Sequence, residues 1–262
     1  MKLSIITICR NEFDSIANTI ESVILQSLKN DFEYIVIDGN SNDGTMEIIS
    51  KYSDNIDKLI SENDDGIFDA MNKAIKISNG EYIIFINAGD ILVNNEVIKK
   101  FIENNDNSDF IFGDVIFQYK NGIKFRRKYP IQQIEKYLLI DSINHQATFI
   151  KKSLFDKIGL YDNSLKITAD YEWSLKALIK EKCSFQYLKF PITIFNLNGI
   201  SSSAKFNVLH NLERKLCQSR YFNLEDLRNF NSKKFLYDLY FKKFRYSYFL
   251  IRSLLSKRYL YE

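Results

Sequence analysis

The stretch Ser61-Glu62-Asn63-Asp64-Asp65-Gly66-Ile67-Phe68-Asp69-Ala70-Met71-Asn72-Lys73 leads on to Tyr82-Ile83-Ile84-Phe85-Ile86-Asn87-Ala88-Gly89-Asp90. An acidic glycine turn, a short helix and an apolar strand ending in an aspartate are the parts of a nucleotide site in an α/β sheet. Ligands of such sheets bind beyond the carboxyl ends of the strands.

The same alternation runs outward from this stretch. Leu3–Cys9 is an apolar run short enough for a buried strand. Ile16, Ile20, Val23 and Ile24 have helical spacing within 14–26, with Asp14 placed as its N-cap. Strands are expected at 34–37, 58–61 and 81–86, and helices at 45–52, 68–77 and 97–102. This β-α order predicts an α/β fold, a mostly parallel sheet with helices on both faces. Residues 109–119 and 122–129 read as a hairpin around Lys120-Asn121-Gly122, and 147–150 as a further strand.

The chain has 262 residues, 45% of them hydrophobic and 26% charged, which suits one large domain with an appendage. Cys9, Cys183 and Cys217 fit no metal-ligand spacing and read as reduced packing residues of a cytoplasmic protein. No apolar run approaches the roughly 20 residues of a membrane span, and Met1-Lys2-Leu3-Ser4 enters a strand without the pattern of a signal peptide. Residues 214–262 hold 12 basic and 4 acidic groups, against 24 and 29 before them. That asymmetry points to a basic appendage facing an anionic partner such as a membrane surface.

Three motifs fall at strand ends: Thr7-Ile8-Cys9-Arg10-Asn11-Glu12, Asp38-Gly39-Asn40-Ser41-Asn42-Asp43-Gly44-Thr45, and the Asp65-Gly66 turn. No Gly-x-Gly-x-x-Gly and no Gly-Lys-Ser/Thr occurs, so neither a dinucleotide fingerprint nor a Walker loop is present. Asp43 and Thr45 suit a turn and a helix cap. Asp38 directly follows buried aliphatics, a costly place for a carboxylate unless something pairs with it, so a ligand role is expected there. Asp90 ends its strand in the same way and lies several residues too early to cap the next helix. Such strand-end carboxylates can hold a divalent cation, which neutralises a diphosphate. In Ile167-Thr168-Ala169-Asp170-Tyr171-Glu172-Trp173, Asp170 opens a helix and is a candidate general base, with a capping role and Glu172 as the alternatives. His145 is one of only two histidines; the other, His210, reads as structural.

Taken in order, Asp38 to Thr45, Glu62 to Lys73 and Gly80 to Asp90 resemble the inverting family 2 glycosyltransferases, in the branch that builds bacterial surface polysaccharides (O-antigen, capsule or exopolysaccharide). The resemblance extends over roughly residues 3–200 and implies a GT-A fold, a nucleotide-sugar donor, most simply a UDP-sugar, and a divalent metal, Mn2+ or Mg2+. It puts Thr7, Ile8, Arg10, Asn11 and Glu12 beside the base, with Arg10 standing where many relatives have an aromatic residue; a planar guanidinium can stack there too. It assigns base binding to Asp38 and Gly39, and closure over the nucleotide to Asp65 and Gly66, with Asn72 and Lys73 on the helix behind. Asn87-Ala88-Gly89-Asp90 takes the place of the Asp-x-Asp motif, with Asp90 as metal ligand. Gly89 stands where an acidic residue often holds the ribose, so the contact falls to the Gly89 backbone or to another residue. Asp170 matches the base, although Ala169 replaces the glutamate of the usual Glu-Asp pair. His145-Gln146 matches a His-Gln pair on the acceptor side, which gives His145 a substrate or phosphate role. Asn198-Gly199-Ile200-Ser201-Ser202 resembles a segment that some relatives fold over the diphosphate.

The resulting expectation is a catalytic domain at 1–204 and a basic, aromatic helical extension at 205–262. Phe206, Leu209, Leu212 and Leu216 suggest one amphipathic helix of that extension, and residues 235–255 a second. The extension packs on the catalytic domain, forms a homodimer, or meets the inner membrane leaflet peripherally, where a lipid-linked saccharide acceptor would lie. No nucleic-acid partner is expected. The competing readings are a sugar nucleotidyltransferase, which would want a Gly-rich, Arg/Lys-bearing phosphate loop near the N-terminus, and a non-catalytic nucleotide-binding scaffold.

Overall fold

The computed structural model describes residues 2–119, 122–196, 207–230 and 232. The strands are β1 Leu3–Cys9, β2 Phe32–Asp38, β3 Lys58–Ser61, β4 Tyr82–Phe85, β5 Ile91–Leu92, β6 Phe110–Gln118, β7 Lys124–Arg127, β8 Thr148–Lys151 and β9 Phe185–Asn196. The helices are α1 Ile16–Ile24, α2 Thr45–Ser50, α3 Ile67–Ile77, α4 Val97–Asn104, α5 Ile134–Ile140, α6 Lys152–Ile158, α7 Ala169–Leu175 and α8 Asn207–Tyr221.

The nine strands among the described residues form one sheet, in the order β3-β2-β1-β4-β8-β6-β9-β5, with β7 paired to β6. The first four in that order are parallel. Beyond β4 the sheet is mixed: β8 runs antiparallel to both β4 and β6, while β9 runs parallel to β6. Alternation along β1 builds the two faces: Ile6 and Ile8 pack with α3 residues Phe68, Met71 and Ile75, whereas Leu3, Ile5 and Cys9 pack with α1 residues Ile16, Ile20 and Val23. The parallel half therefore brings the carboxyl ends of β1, β2 and β4 to one edge, where the three motifs lie.

Three local expectations are corrected. The N-cap of α1 is Ser15, not Asp14, and Ser15 Oγ donates to the Glu12 carboxylate. His145–Ala147 forms a 3-10 turn before β8, so that strand begins one residue later than expected. On α8 the leucine stripe faces outward: Leu212 is 60% exposed, while Glu213, Cys217 and Gln218 are buried. The cause is tertiary, because the Glu213 carboxylate accepts the backbone N–H groups of Lys166, Ile167 and Thr168 and so draws its own side inward. The expected helix at 235–255, the segment 198–202 and most of the hairpin tip lie outside the described residues.

Candidate active site

The residues expected on the nucleotide side make a closed hydrogen-bond network. Asp38 is fully buried at the end of β2. Its carboxylate accepts the Ser41 N–H at 3.0 Å, the Ser61 hydroxyl at 2.6 Å and the Ser41 hydroxyl. These donors meet the need for a partner that burial creates. Asn11, in the left-handed region at φ 55°, accepts the Asn42 N–H with its side chain at 3.0 Å, while its own N–H donates to Ser41 Oγ at 2.8 Å. Glu12 N–H donates to Thr45 Oγ1, and Asp43 accepts the N–H groups of Phe13 and Thr45. The loops after β1 and β2 thus stand as one unit. Arg10 is exposed on its rim, beside Gly39.

Thr7 is turned inward: it is fully buried, donates to Ile86 O at 2.8 Å and meets Tyr34 Oη at 2.9 Å. Ile8, next to it, is 7% exposed. The Asp65-Gly66 turn is open to solvent, and Gly66 has φ 126°, a conformation that side chains with a Cβ rarely adopt. Behind it, Asn72 is buried and spans to the loop after α6, donating to Tyr161 O and accepting the Tyr161 N–H. Lys73 is held among Glu62, Asp64 and Asp69 at 2.9, 2.7 and 3.2 Å, and those carboxylates hold its ammonium above the ordinary range. Both residues brace the turn.

The other half is built differently. Residues 87–90 form a tight turn in which Asp90 N–H donates to Asn87 O, and Gly89 takes φ 93°. Thr19 accepts the Gly89 N–H at 3.0 Å and donates to Asp90 O at 2.8 Å; Asn196 donates to Gly89 O at 2.5 Å. The Gly89 N–H is thereby occupied and its carbonyl already accepts one hydrogen bond. The Asp90 side chain is buried, met by a long contact from Gln146 Nε2 at 3.4 Å and by a hydrogen bond from the Asn196 backbone. Burial pushes its carboxyl up to about 7, against the pull of His145. Two buried oxygens near it, Asn87 Oδ1 and Gln146 Oε1, have no hydrogen-bond partner among the described residues.

His145 joins this turn to α7. Its Nδ1 lies 2.9 Å from Asp170 Oδ2 and its Nε2 3.3 Å from Asn87 Nδ2. With the Asn87 amide donating, Nε2 accepts and Nδ1–H donates to Asp170. Burial opposes charge on the imidazole, but Asp170 and Asp90 outweigh it and hold its pKa above the ordinary value. The Asp170 side chain is 19% exposed. It sits on a fixed helix: Trp173 donates to Gly159 O at 2.7 Å and packs 4.5 Å from the Phe155 ring, and Tyr171 Oη donates to Leu138 O at 2.5 Å. Glu172 projects from another side of α7. It is taken up there by the Tyr221 hydroxyl and by Arg220 at 3.7 Å.

Asp90, Asn87, His145 and Asp170 are therefore brought together, and Glu12 lies within electrostatic reach of Asp90. Gln146, noted in the sequence only as the second residue of the His145-Gln146 pair and given no role there, is the added member. A buried carboxylate flanked by unpartnered amide oxygens fits a hard divalent cation. Mg2+ and its kin take one or two carboxylates and complete their shell from substrate phosphates. No group of three or more His, Cys, Asp or Glu side chains able to hold a metal occurs among the described residues.

Residues 4–159 match the family model described as Glycosyl transferase family 2. The PGL/p-HBAD biosynthesis glycosyltransferase of Mycobacterium bovis is 28% identical over 180 residues, 66% of this chain and 69% of that protein. Among solved structures, S. aureus TarS 1–349 in complex with UDP-GlcNAc superposes with a TM-score of 0.63 at 21% identity, over 81% of this chain and 65% of that one. A longer TarS chain is matched over 37% of its length. The mannosyltransferase PcManGT from Pyrobaculum calidifontis, in complex with GDP-Man and Mn2+, gives a TM-score of 0.58 at 12% identity, over 90% of this chain and 80% of its own.

Proposed function

This chain belongs to glycosyl transferase family 2 and has the GT-A fold, and from that premise we propose that it is a metal-dependent inverting transferase. It moves a sugar from a nucleotide-sugar donor, most simply a UDP-sugar, to a hydroxyl of a lipid-linked saccharide during assembly of a bacterial surface polysaccharide. The observation that carries this reading is the pairing of a buried, cation-seeking Asp90 with an Asp170 held by His145 across one crevice. The TarS complex with UDP-GlcNAc and the PcManGT complex with GDP-Man and Mn2+ support the donor class and the metal.

Asp90 would hold the cation, Mn2+ or Mg2+, with Asn87 Oδ1 and Gln146 Oε1 as its neighbouring oxygens. When bound, the cation neutralises the diphosphate that leaves with the nucleotide. Asp170 accepts the proton of the acceptor hydroxyl as its oxygen bonds to the anomeric carbon. The bond from that carbon to the diphosphate oxygen breaks on the opposite face, and the configuration inverts. His145 at Oδ2 and the Tyr171 N–H at Oδ1, 2.9 and 2.8 Å away, keep the Asp170 carboxylate aimed, and the remaining lone pairs face the acceptor. Asn11, Glu12, Asp38 and Gly39 shape the base pocket with Arg10 at its rim, and Asp65-Gly66 is the turn placed to cover the nucleotide.

No helix among the described residues is long and apolar enough to cross a membrane. Peripheral contact with the inner leaflet is supported by the basic excess after Arg214 and by the outward Leu212 and Leu216 of α8. The test is a panel of nucleotide sugars with Mn2+, read by thermal shift and then by transfer. A donor at a hundred times its Kd stabilises by about 2.7 kcal/mol. Asp170→Asn should leave donor affinity unchanged and lower kcat at least about a hundredfold. Unchanged turnover would remove the base assignment, and donor binding without transfer by the wild type would favour a scaffold.

A further inference from the structure

A cavity of about 520 Å3 lies between α5 and α8, walled by Leu139, Asp141 and Ser142 on one side and by His210, Arg214 and Lys215 on the other. One wall runs on toward His145, and the other, α8, packs against α7, which carries Asp170. Ser142 comes three residues before His145, and the Arg214 guanidinium lies 4.1 Å from the ring of Tyr171, next to Asp170. Among the described residues neither Arg214 nor Lys215 has a carboxylate within ion-pairing distance, whereas the cavity's own acid, Asp141, is matched by Arg127 at 3.2 Å. Arg214 spends one donor on Leu138 O at 3.2 Å, and its stacked plane fixes the remaining N–H groups. His210 lies within electrostatic reach of both Asp170 and Arg214; burial and Arg214 hold its pKa below the ordinary value, so near neutral pH it stands as an uncharged hydrogen-bonding group.

We propose that this cavity is an anion subsite for the acceptor, in which Arg214, Lys215 and His210 bind a phosphoryl group carried by the saccharide whose hydroxyl reaches Asp170. The subsite rests on the transferase reading and extends it, from an acceptor of any kind to a phosphorylated one. Two cations without carboxylates, one of them a rigid guanidinium, suit the spread charge of a phosphoryl oxygen set. The donor diphosphate is served elsewhere, at Asp90.

The chain has only two histidines, so their ring C–H signals can be followed separately by NMR. α-Glucose 1-phosphate, glucose, UDP with Mg2+, and phosphatidylglycerol vesicles are titrated into the full-length protein. The sugar phosphate should move His210 saturably and glucose should not. Saturating UDP–Mg2+ should leave that response in place while acting on His145. Lys215→Gln, an exposed change, should weaken sugar-phosphate binding several-fold, and adding Arg214→Gln should weaken it at least about tenfold in total. Both variants should keep wild-type UDP binding, which also certifies their fold. The subsite is overturned if the sugar phosphate leaves His210 unmoved, if UDP displaces it, if the double variant binds it as the wild type does, or if only the vesicles produce the shift. Absence of UDP binding with an intact His210 response would instead count against the transferase reading.

Discussion

The two halves of the crevice carry similar residues in opposite states. On the nucleotide side Asp38 is fully buried yet surrounded by donors from Ser41 and Ser61, and Lys73 is enclosed by three carboxylates. On the reaction side Asp90 is also buried but is met more sparsely, by the Asn196 backbone and by Gln146 at 3.4 Å, and among the described residues two amide oxygens next to it have no partner. Burying a carboxylate is expensive in both places, and only the first half offsets it internally. Satisfied polar groups there hold loops in shape, whereas the unsatisfied ones are where the proposed cation and substrate would complete the structure. The lesson is that burial of a charged residue does not identify a site by itself; its hydrogen-bond balance does.

That contrast can be broken by exchanging deletions. The largest effect is expected from Asp90→Asn, which should remove Mn2+-dependent transfer altogether while the protein stays folded, as read by a transfer assay beside circular dichroism. Retained Mn2+ dependence would erase the distinction between the halves. Asp38→Ala should do the reverse. It strands the Ser41 and Ser61 donors and should destabilise the fold by about 3 kcal/mol in denaturant unfolding, with residual folded enzyme still responding to Mn2+. A smaller change, Ser61→Ala, takes away one of the several donors to Asp38 and should cost about 1 kcal/mol with little change in turnover. If Ser61→Ala instead abolished donor binding while leaving stability untouched, Asp38 would belong with the reactive half.

Much of the frame was legible in the chain. Apolar runs such as Leu3–Cys9 and the helical spacing of α1 predict elements that the structure contains, because those segments are buried on the faces their periodicity implies. Asp90 stood out as the acid closing the turn after an apolar strand, and Asp170 as an acid where a helix begins. The hydrogen-bond balance was not legible. Ser41 and Ser61 meet Asp38 from different loops, and His145 meets Asp170 across 25 residues of chain. Nothing in local spacing encodes such pairs, although Asp38 and Ser41 are close enough to have hinted at a turn. The α8 helix shows the opposite failure. Its leucine stripe has the right period, but three backbone N–H groups without other partners draw Glu213 inward and override it.

The most direct test is the stability of metal-free protein between pH 4 and 8, wild type against Asp90→Asn, repeated with Mn2+ and UDP. Burial raises the Asp90 carboxyl from 3.8 to about 7, so the folded state holds that proton more tightly than the unfolded chain. Its contribution is therefore complete below pH 3.8 and is lost as pH rises toward 7. At about 1.4 kcal/mol per pKa unit the loss amounts to roughly 4 kcal/mol. Other carboxylates titrate in both proteins, so the difference between the two isolates Asp90. The wild type should fall behind Asp90→Asn as pH rises, and Mn2+ with UDP should restore the wild type alone. A stability difference that stays flat from pH 4 to 8, or equal stabilisation of both proteins by Mn2+ and UDP, would contradict the assignment of Asp90 as the site's unsatisfied charge.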